Sequence, residues 1–325
     1  TISVMSPDLK FPQTWKSSLA IDAKLPWGIV GTLEGIYGKD LNVAIARNAN
    51  LVDPTPISIN GYGDNRPMYP VGSNAAGSVL ARQVVTTNNA GQVTTVSTGT
   101  GANAVNTSGF NAIVLDNAKG GYNWMVTAQL SKQFSQGLGL MVAYTRSDQR
   151  NFGDGAGDQL LNLWSIPPTA GNPNVPSLSY SQNLNPDRVI ASVSYKKEYF
   201  KNLATSFSLF YEGSQQGRFS YVYSGDFNRD GQSGNDLLYV PRDPSEITFS
   251  GNVVIGSGAS AVTYTPQQQS DLFFAYIEQD KYLKTRKGQY AERNGATSPW
   301  RNQVDFRLTQ EVFKNFGGSK NSIQF

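Results

Sequence analysis

WKSSLAIDAKLPWGIVGTLEGIY, residues 15–37, is the stretch that decides the fold. Trp15, Leu19, Ile21, Ala23 and Leu25 occupy alternate positions, and Lys16, Ser18, Asp22 and Lys24 lie between them. Successive side chains of a β-strand point to opposite faces, so this period of two predicts a strand with one apolar and one polar face. Pro-Trp-Gly at 26–28 then turns the chain. Alternation resumes with Ile29, Leu33 and Tyr37 against Thr32 and Glu34.

The unit recurs. Tyr122, Trp124, Val126, Ala128 and Leu130 oppose Asn123, Thr127, Gln129 and Ser131; FSQG (134–137) turns; Leu138, Leu140, Val142 and Tyr144 follow. Val189, Ala191, Val193 and Tyr195 oppose Arg188, Ser192, Ser194 and Lys196. YFKN (199–202) leads into Leu203, Phe207, Leu209 and Tyr211 against Ser206, Ser208 and Glu212. Finally Val304, Phe306, Leu308 and Val312 oppose Gln303, Asp305, Arg307 and Glu311, and FKNFGGSK (313–320) turns into NSIQF. The reading is about eight strands in four hairpins, each strand about nine to twelve residues long.

The connections are lopsided. Turns within a hairpin take a few residues, whereas the stretches between hairpins run over about 38–121, 146–187 and 213–300. Short turns at one end and long loops at the other are the pattern of a transmembrane antiparallel β-barrel, and the strand length fits a tilted bilayer span. Aromatic residues gather near the strand ends (Trp15, Trp27, Tyr122, Trp124, Phe134, Tyr144, Tyr195, Tyr199, Phe200, Phe313), where an interfacial girdle would sit. A soluble antiparallel β-sandwich alternates in the same way. Connections this long are rare in one, and charges recur on the polar face of nearly every strand. Lys16, Asp22, Lys24, Glu34, Arg188, Lys196, Glu212, Asp305, Arg307 and Glu311 are the lumen-facing candidates.

Composition excludes several chemistries. The chain has neither cysteine nor histidine, so thiolate nucleophiles, Cys/His zinc sites and serine–histidine triads are ruled out. The reading is of a protein without covalent catalysis and without catalytic residues. The net charge of +3 is spread along the chain, which does not suggest a nucleic-acid partner. No apolar run is long enough for a membrane helix, and TISVMSPDLKFPQ lacks the features of a signal peptide.

The loops carry their own signals. TTNNAGQVTTVSTGTGANAVNTSG (86–109) is low in complexity and reads as a mobile or solvent-facing extracellular loop. GDGAG (153–157) lacks the frame of a phosphate-binding loop and reads as a flexible tip. Thr265, Pro266 and Gln268 form a capping-box signature, followed by Leu272, Phe273, Tyr276 and Ile277 at helical spacing. SGDFNRDGQSGNDLLYVPRD (224–243) begins like a calcium loop: Asp226, Asn228 and Asp230 alternate and Gly231 follows. Gln232, Asn235 and Asp236 complete a candidate Ca²⁺ set, although Leu237 stands where an EF-hand has its closing carboxylate. Turn chemistry explains the same residues equally well.

YVYSGDFNRDGQSGNDLLYVPRD (221–243) and YIEQDKYLKTRKGQYAERNGATSPWRNQVDFRLTQEV (276–312) together resemble the C-terminal barrel region of TonB-dependent outer-membrane receptors. The likeness is to the Oar-like branch of Bacteroidota-type bacteria, related to the SusC-like transporters. It implies an outer-membrane location and a barrel of about twenty-two strands around a plug. It also implies nutrient uptake driven through TonB, and a surface lipoprotein as a further candidate partner. Residues 1–325 then read as one partial barrel domain, without plug or signal peptide in this chain. A small eight-stranded barrel and a non-transporting surface barrel for adhesion or assembly are the other readings.

Overall fold

The computed structural model describes residues 1–51, 53–57, 61–69, 84–87, 93–96, 111–155, 157–200, 203–316 and 319–325, with backbone alone at 84–87, 93–96 and 313–321. One eleven-stranded sheet dominates. Its body is an antiparallel meander of β1 (Gln13–Lys24), β2 (Val30–Asn48), β4 (Tyr122–Gln133), β5 (Leu138–Asn151), β6 (Asp187–Tyr199), β7 (Leu203–Gln215), β8 (Trp300–Phe316) and β9 (Ser319–Gln324). Strand β3 (Ala112–Ala118) pairs with the far end of β2, Ile2–Met5 adds to β3 in parallel, and Ser179–Tyr180 adds to β5. All eight strands expected from the period-two pattern are present. Among the described residues β1 pairs only with β2 and β9 only with β8, so the ladder is an open sheet with two edges.

Register turns the alternation along each strand into rows across the sheet. Ala23 faces Gly31, then Leu130, Val142, Ala191, Tyr211 and Val304 in unbroken succession. A parallel row runs Ile21–Leu33–Ala128–Tyr144–Val189. No other element covers this face, and its large side chains stand open: Ile21 is 58% exposed, Leu130 47%, Val142 45% and Val304 61%. A β-sandwich would cover such a face with a second sheet. None of the sheets among the described residues does so here.

The short connections share one end. Phe134–Gly137 closes as a tight turn, with the Gly137 N–H donating to Phe134 O at 3.2 Å. Gly137 has φ +84, and a Cβ there would meet Lys196 O at 2.2 Å, so only glycine fits between β5 and β6. The opposite end carries a cap built from the long connections. Helix α1 (Leu160–Ser165) packs Trp164 against Ala46 of β2 and Ile113 of β3. Helix α2 (Pro266–Gln279) buries Ile277 against Val240 and Leu283. The predicted capping box of α2 is present, with Thr265 Oγ1 accepting from the Gln268 N–H and Gln268 Oε1 from the Thr265 N–H. No helix among the described residues is long and apolar enough to cross a membrane; crossing by strands is a separate matter.

Three details depart from expectation. The strands run further than the pattern indicated: β2 spans 19 residues, and its last third leaves β4 to pair with β3. The loop expected over 86–109 includes part of a short ladder of Val84–Thr87 with Val93–Val96; the rest of it lies outside the described residues. GDGAG is no free tip, as the side chain of Asp154 shows. It accepts from Asn151 Nδ2 (2.8 Å), Ser181 Oγ (2.7 Å), the Gln182 N–H (3.0 Å) and Asn294 Nδ2 (2.9 Å).

Candidate functional site

Two surfaces hold the residues singled out from sequence. The first is the face of the sheet opposite the apolar rows. Lys16, Asp22, Lys24, Glu34, Arg188, Lys196, Glu212, Asp305, Arg307 and Glu311 all lie on it by register. One row runs Ala20–Glu34–Thr127–Thr145–Arg188–Ser214 across six strands. Its charges pair across strands: Arg188 Nε donates to Glu212 at 2.8 Å, and Lys196 Nζ to Glu311 at 2.8 Å. The face also carries Ile36, Met125, Met141, Ile190 and Phe210, so it is mixed, whereas the other is apolar over its middle and carries Ser17, Lys132, Thr205 and Gln310 toward its margins.

Toward the cap, the segment around Asn185 lies over this polar face and leaves two clefts. One, of about 370 Å³, is bordered by Lys16, Asn123, Thr145, Gln149 and Arg188. The other, of about 130 Å³, lies among Glu212, Ser214, Gln216, Arg301 and Gln303. Asn185 borders both. Ile36, Trp124, Met125 and Leu184 complete the walls of the larger cleft, so it is mixed in character, whereas the smaller one is lined by amide, hydroxyl and charged groups.

The second surface is the acidic loop, which is buried in the cap. Asn228 and Asp236 are fully covered, and Asp230 and Asn235 are 1% exposed. Asp226 Oδ2 accepts the Gly231 N–H at 2.9 Å, Asn228 Oδ1 the Asp230 N–H at 2.9 Å, and Asp230 Oδ1 the Gln232 N–H at 2.8 Å. Asn228 O accepts from the Tyr69 N–H and Asn235 O from the Thr169 N–H, both at 2.8 Å. The loop therefore ties the segments around 69 and 169 to itself.

Asp236 belongs to a different constellation from the other candidate ligands. Its Oδ2 accepts the Phe227 and Asn228 N–H groups, and its Oδ1 faces Arg66 Nη1 at 3.6 Å. Burial pushes its carboxyl up to about 6, and it raises Asp230 as well. Arg66 is itself fully buried and paired with Asp64 at 2.8 Å, and it donates to Leu237 O at 2.9 Å. Its guanidinium lies over the rings of Phe227, Tyr223 and Tyr290, at 4.5, 5.1 and 5.3 Å from their centroids. Tyr290 closes the circuit by donating to Asp64 at 2.8 Å. Nothing in the local pattern around Arg66 singles it out, because its partners lie far along the chain, Tyr290 among them. The one available hint was a lone Asp-Asn-Arg in an otherwise uncharged run.

A second buried arginine performs the same task nearby. Arg293, 3% exposed, donates to Asn151 Oδ1 at 3.1 Å and lies 3.7 Å from Asp154. Tyr180 is held between the guanidiniums of Arg150 and Arg218, 3.3 and 3.8 Å from its ring centroid. The cap is thus organised around buried polar hubs, which fix loop geometry where apolar area is scarce.

Comparison with known proteins found no matching family model, no matching curated protein and no matching solved structure.

Proposed function

We propose that this chain is a wall segment, with its extracellular loops, of an outer-membrane β-barrel that takes up a nutrient in a TonB-dependent manner. The observation that carries the reading is the unbroken, uncovered apolar row Ala23–Gly31–Leu130–Val142–Ala191–Tyr211–Val304, backed by a face of paired charges. In water such an area would be covered or would aggregate. In a bilayer it is the surface that meets lipid, and the opposite face lines an aqueous lumen. The dimensions agree. The apolar face runs from Trp15 in β1 to Leu25 just past its end, and ten residue steps at about 3.3 Å, tilted by about 35–45°, give about 23–27 Å of height, near the apolar band of such barrels. The paired Trp15 and Tyr37 rings, 6.1 Å apart, supply an interfacial anchor at the cap end. Under this reading the cap faces the exterior, the clefts beside Asn185 are the first polar surfaces a solute meets, and no covalent chemistry occurs. The TonB part of the proposal rests on the motif resemblance in 221–243 and 276–312.

The absence of cysteine makes the test direct. Single cysteines at Leu19, Leu130 and Leu308, and separately at Asp22, Gln129 and Asp305, would carry an environment-sensitive fluorophore in protein folded into vesicles. The first set is expected to be quenched by lipid-borne quenchers and the second by aqueous ones. Equal quenching of both sets would overturn the membrane assignment. For transport, deletion in the source bacterium should abolish growth on a scarce nutrient, as should loss of TonB. Undiminished growth with lost surface attachment would favour an adhesive barrel instead.

A further inference from the structure

The acidic loop holds buried oxygen atoms that the fold leaves without partners. Asp226 Oδ2 is occupied by the Gly231 N–H, yet Asp226 Oδ1 is buried with no hydrogen bond. Asn235, 1% exposed, donates through Nδ2 to Asp230 Oδ2 at 3.1 Å, and its Oδ1, on the same amide, is buried and unpartnered. Asp236 Oδ1 is a third buried oxygen of the loop without a hydrogen bond; leaving such an acceptor unsatisfied costs about 1–3 kcal/mol, so three in one loop call for a missing partner. The missing group faces oxygen atoms, as a bound cation or a buried water does, and titration with the cation tells the two apart. Asp230 is ringed by amide nitrogens from Asn228 (3.3 Å) and Asn235 (3.1 Å), neutral donors around a buried carboxylate. A half-turn of the Asn235 amide would bring its oxygen toward Asp230, where a cation between them would bind both.

We propose that this loop binds one Ca²⁺ through Asp226, Asn228, Asp230 and Asn235, with Asp236 outside the ligand set. Asn228 Oδ1 accepts one hydrogen bond and, as a carbonyl oxygen, keeps a second lone pair. Gln232 offers a backbone carbonyl, as the spacing suggests. Asp236 is left out of the set because its Oδ2 already accepts the Phe227 and Asn228 N–H groups, and its Oδ1, though without a hydrogen bond, faces the Arg66 guanidinium at 3.6 Å. No three acidic side chains among the described residues converge to hold an ion by themselves, so the amide oxygens are necessary members of the set. Calcium accepts such an irregular cage of mixed carboxylate, amide and carbonyl oxygens, whereas Mg²⁺ demands near-octahedral geometry and keeps its waters. The ion would lock the backbone of Asn228 and Asn235, to which Tyr69 and Thr169 are bonded, and so fasten three cap segments together. This inference stands apart from the membrane reading and survives its failure.

The test uses the purified, folded full chain, in detergent where detergent keeps it dispersed. Titration calorimetry with CaCl₂ should give one site per chain with Kd at or below about 1 mM, the range of extracellular modules. Asp226→Asn should weaken it at least tenfold, and Asp305→Asn, on the sheet, should leave it unchanged. In the unaltered protein, Ca²⁺ at about ten times Kd should slow hydrogen exchange at the Tyr69 and Thr169 amides about tenfold. No heat at millimolar CaCl₂, an Asp226→Asn titration indistinguishable from the parent, or unslowed exchange at those amides would each overturn the proposal. The exchange measurement needs no variant, so it decides even if Asp226→Asn fails to fold.

Discussion

Replacing Arg66 by Met removes a charge while keeping most of the stem that touches Phe227, Tyr223 and Tyr290. Two carboxylates lose their cation. Asp64, 1% exposed, loses a contact of 2.8 Å, and Asp236, fully buried, loses one of 3.6 Å. Removing one partner of a buried pair costs about 3–5 kcal/mol, because the other charge is left in a poor solvent. Losing the cation over three rings adds to this in the same direction, by about 1–2 kcal/mol. Arg66→Met should therefore destabilise the cap by at least about 3–5 kcal/mol while the meander stays paired, since none of these contacts involves its strands. Local exchange converts this to a rate: about 1.4 kcal/mol per power of ten gives two to four powers of ten. Hydrogen exchange read by mass spectrometry should show that acceleration in segments 61–69, 221–240 and 286–291, with 122–151 and 187–215 unchanged. Adding Asp64→Asn removes one of the two stranded charges and should restore about half the loss. A change under tenfold in the three segments, or a double variant as poor as the single, would refute the claim that buried charge organises the cap.

Three further outcomes follow from the same geometry. Leu130→Arg places a guanidinium mid-way along the apolar face and should cost about 2–4 kcal/mol in urea titrations of vesicle-folded protein, with Gln129→Arg within about 1 kcal/mol of the parent. Thr265→Ala breaks the capping box of α2 and should cost about 0.5–2 kcal/mol, read as faster exchange over 268–279 alone. Asp154→Ala deprives Arg293 of its nearest carboxylate and frees four donors; a loss of about 3 kcal/mol is expected in exchange protection around 151, 181–182 and 293–294.

The wall was legible because its information is local. A strand with two different environments writes a period of two into its own residues, and Trp15–Lys24 could be assigned faces before any pairing was known. The α2 capping box was equally local, with Thr265 and Gln268 three positions apart. The cap was not legible for the opposite reason. Asp64, Arg66, Asp236 and Tyr290 share one buried site, yet no periodicity joins residues so far apart in the chain. Asp154 looked like part of a glycine-rich tip because glycine signals freedom of the backbone and says nothing of what an intervening carboxylate will accept. The acidic loop fell between: its spacing named the residues, but only coordinates show Asp236 beside Arg66. The upper third of β2 escaped notice because it alternates imperfectly and trades one partner strand for another midway.

The strand order has a consequence for the way the chain acquires its shape. Every neighbour in the meander is also the next wall strand in sequence. The wall can grow hairpin upon hairpin, with little closure entropy inside each hairpin and a larger cost where the long connections between hairpins close. The cap obeys the opposite arithmetic: the Tyr290–Asp64 bond joins residues 226 apart, and the Arg293–Asn151 bond residues 142 apart. Those loops cannot close until the last wall hairpin has brought 290 beside 64. Assembly is thus ordered in time, wall before cap, and an interruption after the seventh strand would leave a sheet already formed beneath loops that have nothing yet to clasp.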